Sequence, residues 1–290
     1  MKPFEKGIYL LPNLMTTAAL FAGFYAVIAG IQGQFELGAI AILVAMILDG
    51  LDGRIARMTN SCSAFGAEYD SLSDMISFGL APSLLIYQWA LHDFGKLGWL
   101  IAFVYTVAAA LRLARFNTQV GIADKRYFQG LPSPAAAAVL ASLIWVVESN
   151  QLNTGFESIA ALVLTGFTGV MMVSNVRFSS FKEINLKDKV PFVTLLVIVL
   201  VFVIITLKPA VLLFFIFIGY AFSGPIVTLV TLKKTRALRQ QNRDEDARDK
   251  SKAAESDAKA PAEQENTAEE LKSESVETVE AVKNNDGDKA

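Results

Sequence analysis

Apolar residues run along this chain in eight long blocks separated by short polar connections, with no obvious internal repeat. The blocks run from about Tyr9 to Ile31, Leu37 to Met58, Gly66 to Leu91, Leu97 to Phe116, Ser133 to Val147, Glu157 to Val176, Val190 to Leu207 and Pro209 to Leu232. Most approach the roughly 20 residues that a helix needs to cross a bilayer. Backbone groups in lipid must be satisfied within the segment, so blocks of this kind predict helices. The expected fold is therefore all-α: a polytopic membrane helical bundle of about eight transmembrane helices, with Lys208-Pro209 turning the chain between the last two. The first block follows Lys2 and Lys6 but is long and lacks a small-residue cleavage site, so it reads as a retained helix.

Composition changes the picture only at the C-terminal end. The chain has 290 residues, 53% of them hydrophobic. From Gln241 to Ala290 it carries 15 acidic and 8 basic residues and almost no large apolar ones. Such a segment cannot bury enough apolar area to offset its ordering entropy, so a disordered charged tail is expected over 238–290, following a membrane-embedded domain over 1–237. The single cysteine, Cys62, excludes an internal disulfide and a cysteine-rich metal site. With one histidine, His92, acid–base work falls to carboxylates. His92 itself reads as an interfacial residue on the outer side, and no nucleic-acid partner is expected.

Charge orients the bundle. Eight crossings from a cytoplasmic N-terminus put 16 of the 18 basic residues before Gln241 inside, leaving only Lys96 and Lys208 outside. Both termini are then cytoplasmic. The same count puts the connected end of the second and third helices at the cytoplasmic face of the cell's inner membrane. That end holds the candidate chemistry: Asp49, Asp52, Gly53, Ala56, Arg57, Gly66, Asp70 and Asp74, in the pattern D-x2-D-G-x2-A-R-x8-G-x3-D-x3-D. Residues three or four apart share a helical face, so each aspartate pair points into one space. Ionisable groups at membrane depth are costly and need partners. Arg54 and Arg57 cannot neutralise four carboxylates, and oxygen ligands without histidine or cysteine suit hard cations such as Mg2+, Mn2+ or Ca2+. Four carboxylates can bridge two ions, an arrangement used in phosphoryl transfer. Gly53 and Gly66 leave room for a ligand or a neighbouring helix.

The eight-residue pattern resembles the signature of the CDP-alcohol phosphotransferase family, matching it at every position. These are membrane enzymes that move a substituted phosphate from a CDP-linked donor to an alcohol and release CMP. The flanking segments resemble the serine-using branch of that family. They are Leu11-Pro12-Asn13, Thr16-Thr17, Arg112 to Asn117, Phe128 to Pro134 with four alanines after it, and Met172 to Asn175 leading to Lys182. The resemblance implies that Asp49, Asp52 and Asp70 hold metal, two Mg2+ or Mn2+ ions, with Asp74 near the second ion and acting as general base. It implies that Gly53, Ala56 and Arg57, with Gly66 nearby, line the site of the CDP donor. It further implies CDP-diacylglycerol as donor, L-serine as acceptor, membrane lipids as surroundings and a homodimer. Spacing alone does not rank Asp74 above its neighbours as base.

Arg112, Arg115, Lys125 and Arg126 are candidates for binding the acceptor or phosphate, although positive-inside topology or attraction to anionic headgroups accounts for them equally well. Ser133 and Asn117 can bond an acceptor or cap helix ends, with capping preferred. Pro132 and Pro134 shape the start of a helix. Two rival readings remain: the same chemistry with glycerol 3-phosphate, inositol phosphate or choline as acceptor, and a divalent-cation transporter. A transport pathway would continue to the opposite surface, where no comparable acidic set occurs.

Overall fold

The computed structural model describes residues 10–59, 61, 63–119, 127–152, 155–179, 208–228, 239–240 and 243. The chain divides into two units, residues 1–228 and 229–290, and the architecture below is that of the first. Its helices are α1 (Leu10–Ile31), α2 (Phe35–Met58), α3 (Ala64–Asp74), α4 (Ala81–Ile86), α5 (Lys96–Gln119), α6 (Ser133–Ser149), α7 (Glu157–Val173) and α8 (Pro209–Thr228). Seven of the eight apolar blocks thus coincide with helix. The block from Val190 to Leu207, the tail and the boundary at 237 lie outside the described residues. Three helical stretches, Leu11–Ile31, Lys96–Thr118 and Pro209–Thr228, are long and apolar enough to cross a membrane, and α6 and α7 are shorter apolar helices.

Helix α6 sits at the centre. Ala136, Ala137, Val139, Leu140, Ala141 and Ile144 on it are fully buried, so it is covered on all sides rather than along one stripe. Its alanines let α2 and α7 approach closely, which is how helices pack tightly where lipid supplies no hydrophobic drive. The outward faces carry exposed Leu14, Phe21 and Phe24 on α1 and Phe103 and Leu111 on α5, as expected of surfaces that meet acyl chains. At the end of the bundle away from the aspartates, Trp89 Nε1 donates to Glu148 at 2.7 Å and Trp145 Nε1 to Glu36 at 3.0 Å. Indole rings with one polar edge suit that boundary between lipid and water. His92 lies at the same end, half exposed, 3.0 Å from Asp93.

The helix predicted from Gly66 to Leu91 is continuous but not uniform. After α3 it widens into a π-helical stretch (Met75–Leu80), tightens to α4, widens again (Tyr87–Leu91) and closes in a 3-10 turn (His92–Phe94). Pro82 explains the first departure. It has no N–H, so the Phe78 carbonyl four residues earlier loses its α-helical donor. Tyr105 of α5, fully buried, donates its hydroxyl to that carbonyl at 3.0 Å. Ser83 donates to the Leu80 carbonyl at 2.8 Å and accepts from Thr106 at 2.8 Å. The widened turn begins directly after Asp74, so these contacts fix where the third helix places that carboxylate. Tyr105→Phe removes this buried hydrogen bond and is expected to cost about 1 kcal/mol. A lowered thermal transition of the detergent-solubilised protein would show it; an unchanged transition would contradict the assignment.

Two short strands modify the all-α expectation. β1 (Tyr127–Gln129) pairs antiparallel with β2 (Arg177–Ser179), with Phe128 opposite Phe178. The apolar block that ends at Val176 predicts helix to that point, but α7 ends at Val173, where Ser174 turns extended. Three-residue strands give too little alternation to register as a pattern. The ribbon is held by Gly130, whose φ of +79° favours glycine and whose position, facing the Met172 carbonyl, leaves no room for a side chain. Its N–H donates to Val176 O at 2.8 Å, and Leu131 N–H to Met171 O at 2.9 Å, tying the start of α6 to the end of α7.

Candidate active site

The end of α2, the start of α3 and the start of α1 converge. Helix α3 begins at Ser63, whose hydroxyl accepts from the Gly66 N–H at 3.0 Å in an N-cap. That start places Asp70 and Asp74 two to three turns into the helix on one face. Asp49, Asp52, Gly53 and Ala56 follow the i, i+3, i+4, i+7 rhythm of one face of α2. The structure brings Asp49, Asp70 and Asp74 together, with one carboxylate oxygen from each within 4.8 Å of the others. The Asp49 and Asp74 carboxyl groups adjoin one another. Carboxylates this close repel one another unless a positive charge lies among them.

Asp52 is placed differently. It is buried, and Thr16 Oγ1 lies 2.6 Å from its Oδ2. Its charge still acts on Asp70 and Asp49. Thr16 is in turn fixed from α3, because Ser73 donates to the Thr16 carbonyl at 3.2 Å and Ser77 to the Ala19 carbonyl at 3.1 Å. Gly23 lets α1 lie against Ser77, where a Cβ would collide. Thr17 and Tyr69 join the same two helices nearer the surface, 2.9 Å apart. The Arg57 guanidinium lies over Gly53, at ordinary contact distance from where a Cβ would stand, and Gly66 faces the Asn13 side chain. Ala56 is half-buried, and Arg57 is exposed.

Arg112 of α5 reaches the same centre from the opposite side. Its Nη1 donates to Ser133 Oγ at 2.8 Å, and its charge acts on Asp74, Tyr105 and Tyr220 of α8. Ser133 is fully buried at the first turn of α6, whose N-cap is Pro132, so its hydroxyl accepts from Arg112 instead of capping the helix. Asn117 likewise does not cap: it lies within α5 and its Nδ2 donates to Ser71 Oγ at 3.0 Å. Arg115 Nη1 is 3.3 Å from both the Val173 carbonyl and Asn175 Oδ1. Lys125 and Arg126 lie outside the described residues. No sequence motif marks Ser73, Tyr105 or Tyr220, and Thr16 stands out only within the Thr16-Thr17 pair of the family resemblance. A threonine pair inside an apolar helix was the available signal.

The donor set suits a hard divalent cation. Oxygen ligands stand about 2.0–2.6 Å from such an ion, so oxygens up to about 5 Å apart can share one. Among the described residues, Asp70 Oδ1 is a buried oxygen without a hydrogen-bond partner, the kind of atom a cation would satisfy. Arg112 Nε is a buried donor in the same condition. One site thus offers an unmatched anionic oxygen and an unmatched cationic N–H, suited to a ligand with both charges.

Fold and site together define an apolar helical bundle with a carboxylate centre, able to hold a metal ion, at one end. Comparison with known proteins gives this class a family. The family model for CDP-alcohol phosphatidyltransferases matches residues 9–174, and the chain belongs to that family as an integral membrane protein. It is 37% identical over 196 residues to a CDP-diacylglycerol–serine O-phosphatidyltransferase of Helicobacter pylori, covering 68% of this chain and 83% of the relative. An enzyme of the same name from Mycobacterium tuberculosis is 31% identical over 222 residues, covering 73% and 76%. An archaetidylserine synthase of Methanothermobacter thermautotrophicus is 36% identical over 156 residues, covering 53% and 66%.

Proposed function

We propose that the protein transfers the phosphatidyl group of CDP-diacylglycerol to the hydroxyl of L-serine, giving phosphatidylserine and CMP. The observation that carries this reading is the convergence of Asp49, Asp70 and Asp74 within 4.8 Å, in a chain whose relatives are named for that reaction. Asp49, Asp70 and Asp74, joined by Asp52, are the residues that would hold one or two Mg2+ or Mn2+ ions. Bound there, such ions would offset the charge of the donor diphosphate and of the oxygen that leaves.

The remaining chemistry belongs to the chain. Asp74 accepts the proton of the serine hydroxyl as its oxygen bonds to the phosphatidyl phosphorus. The bond from that phosphorus to the CMP oxygen breaks, and CMP departs with the electron pair. Gly53, Ala56 and Arg57 share the last turns of α2 with Asp49 and Asp52, and the exposed Arg57 guanidinium is available there to pair with the donor diphosphate. Thr16, bonded to Asp52, and Ser73, bonded to Thr16, hold the α2 carboxylates in register with those of α3. Arg112, braced by Ser133 and carrying an unmatched N–H, is placed to take the serine carboxylate. Most of the catalysis is then positioning and charge stabilisation.

Orientation follows from charge. Hydrogen bonds gather the start of α1, the end of α2, the start of α3, the end of α5 and the start of α6 at the aspartate end. That end carries Arg54, Arg57, Arg112 and Arg115, whereas Lys96 and Lys208 stand at opposite ends of their helices. Cytoplasmic placement of the site, eight crossings with both termini inside, a separate charged tail over 238–290 and a homodimer complete the proposal. The deciding experiment measures CMP release by purified protein from CDP-diacylglycerol with serine, glycerol 3-phosphate, inositol phosphate or choline in turn. Serine-dependent release is expected. Release independent of serine, or faster with another acceptor, would overturn the assignment.

A further inference from the structure

Between α5 and α7, on the outward side of the bundle, lies a groove of about 480 Å³ lined by Val104, Ala108, Leu111, Gly169, Val170 and Val173 among others. Its volume falls within the range of ligand pockets, about 300–1,000 Å³. Along the helices its walls are almost entirely apolar, but one end is not. There Ser174 lines it, Asn175 follows, and Arg115 continues the α5 stripe of Val104, Ala108 and Leu111 by one turn. Arg115 Nη1 is steadied by Val173 O and Asn175 Oδ1, each at 3.3 Å, and a guanidinium carries five N–H donors in all. Gly169 deepens the groove opposite Tyr105.

An apolar channel with an arginine at one end matches an amphiphile with an anionic head. From this geometry we infer that the groove binds an anionic membrane phospholipid as a resident ligand, one acyl chain between α5 and α7 and its phosphate at Arg115. A basic residue between helices at a membrane surface is a recurrent recognition site for such headgroups. This lipid is separate from the substrate, whose diphosphate belongs at Asp49, Asp70 and Asp74.

Native mass spectrometry of the delipidated full-length protein, titrated with phosphatidylglycerol or phosphatidylcholine, tests the assignment. Wild type should bind phosphatidylglycerol about fivefold more tightly, the effect of one favourable cation near the surface. Arg115→Ala should remove that preference, and Val104→Trp, which fills the groove, should weaken both lipids. Asp49→Asn should leave the preference intact. Equal binding of the two lipids by wild type, or a preference that survives Arg115→Ala, would overturn the proposal. So would a preference lost in Asp49→Asn, which would assign the lipid to the donor site, or a dimer that masks the groove and excludes both lipids.

Discussion

Asp74→Asn is expected to lower turnover by about 10²- to 10⁴-fold, the usual contribution of a positioned general base, while CDP-diacylglycerol still binds. The substitution keeps the shape of the side chain and removes its capacity to accept the serine proton. The proposed mechanism gives that role to Asp74. It meets Asp49 on one side, feels the Arg112 charge on the other, and sits directly before the widened turn that Tyr105 and Pro82 hold in place. Single-turnover CMP release against donor binding separates the two effects. Near-normal turnover in Asp74→Asn would move the base to another carboxylate. Loss of donor binding together with turnover would make Asp74 chiefly a ligand for metal.

The second large effect concerns the ion. Removing divalent cations with a chelator should stop CMP release, and restoring Mg2+ or Mn2+ should bring it back. Asp49→Asn should raise the Mn2+ concentration needed and weaken donor binding in parallel, because a donor with two phosphates requires the charge that the cluster collects. Losing a ligand typically matters far more to such a site than losing a neighbour that merely orients one, for which the cost is about 10- to 100-fold in affinity. Thr16 is a neighbour of that second kind, acting through Asp52.

Much of this site is legible in the amino-acid sequence. The spacing of Asp49 with Asp52 and of Asp70 with Asp74 reports helical faces directly, and a polar turn between two apolar blocks reports a hairpin. Those two facts place the carboxylates at one end. What the spacing does not report is which oxygens meet across the hairpin, and there Asp52 parts from the other three by turning to Thr16, 36 residues away. Arg112 and Ser133 were both candidates, yet their bond joins helices 21 residues apart and turns Ser133 from an expected cap into a brace. The widened turn after Asp74 was the least accessible feature. Pro82 marks the missing donor in the sequence, but the hydroxyl that replaces it comes from Tyr105 on another helix. Hydrophobic periodicity carries no information about such a contact. The groove beside α5 escaped for a similar reason: Val104, Ala108 and Leu111 look like ordinary lipid-facing residues until α7 is set against them.

The claim on which the rest depends is that the aspartates at the α2–α3 hairpin form a site for divalent cations. Electron paramagnetic resonance of Mn2+ titrated into the purified protein, without substrate, tests it most directly. Wild type should convert free Mn2+ to a bound, broadened species at stoichiometric concentrations, and Asp70→Asn, which alters the buried oxygen left unmatched in the cluster, should weaken that binding at least about tenfold. Identical Mn2+ binding by wild type and Asp70→Asn, or no binding by either, would contradict the account.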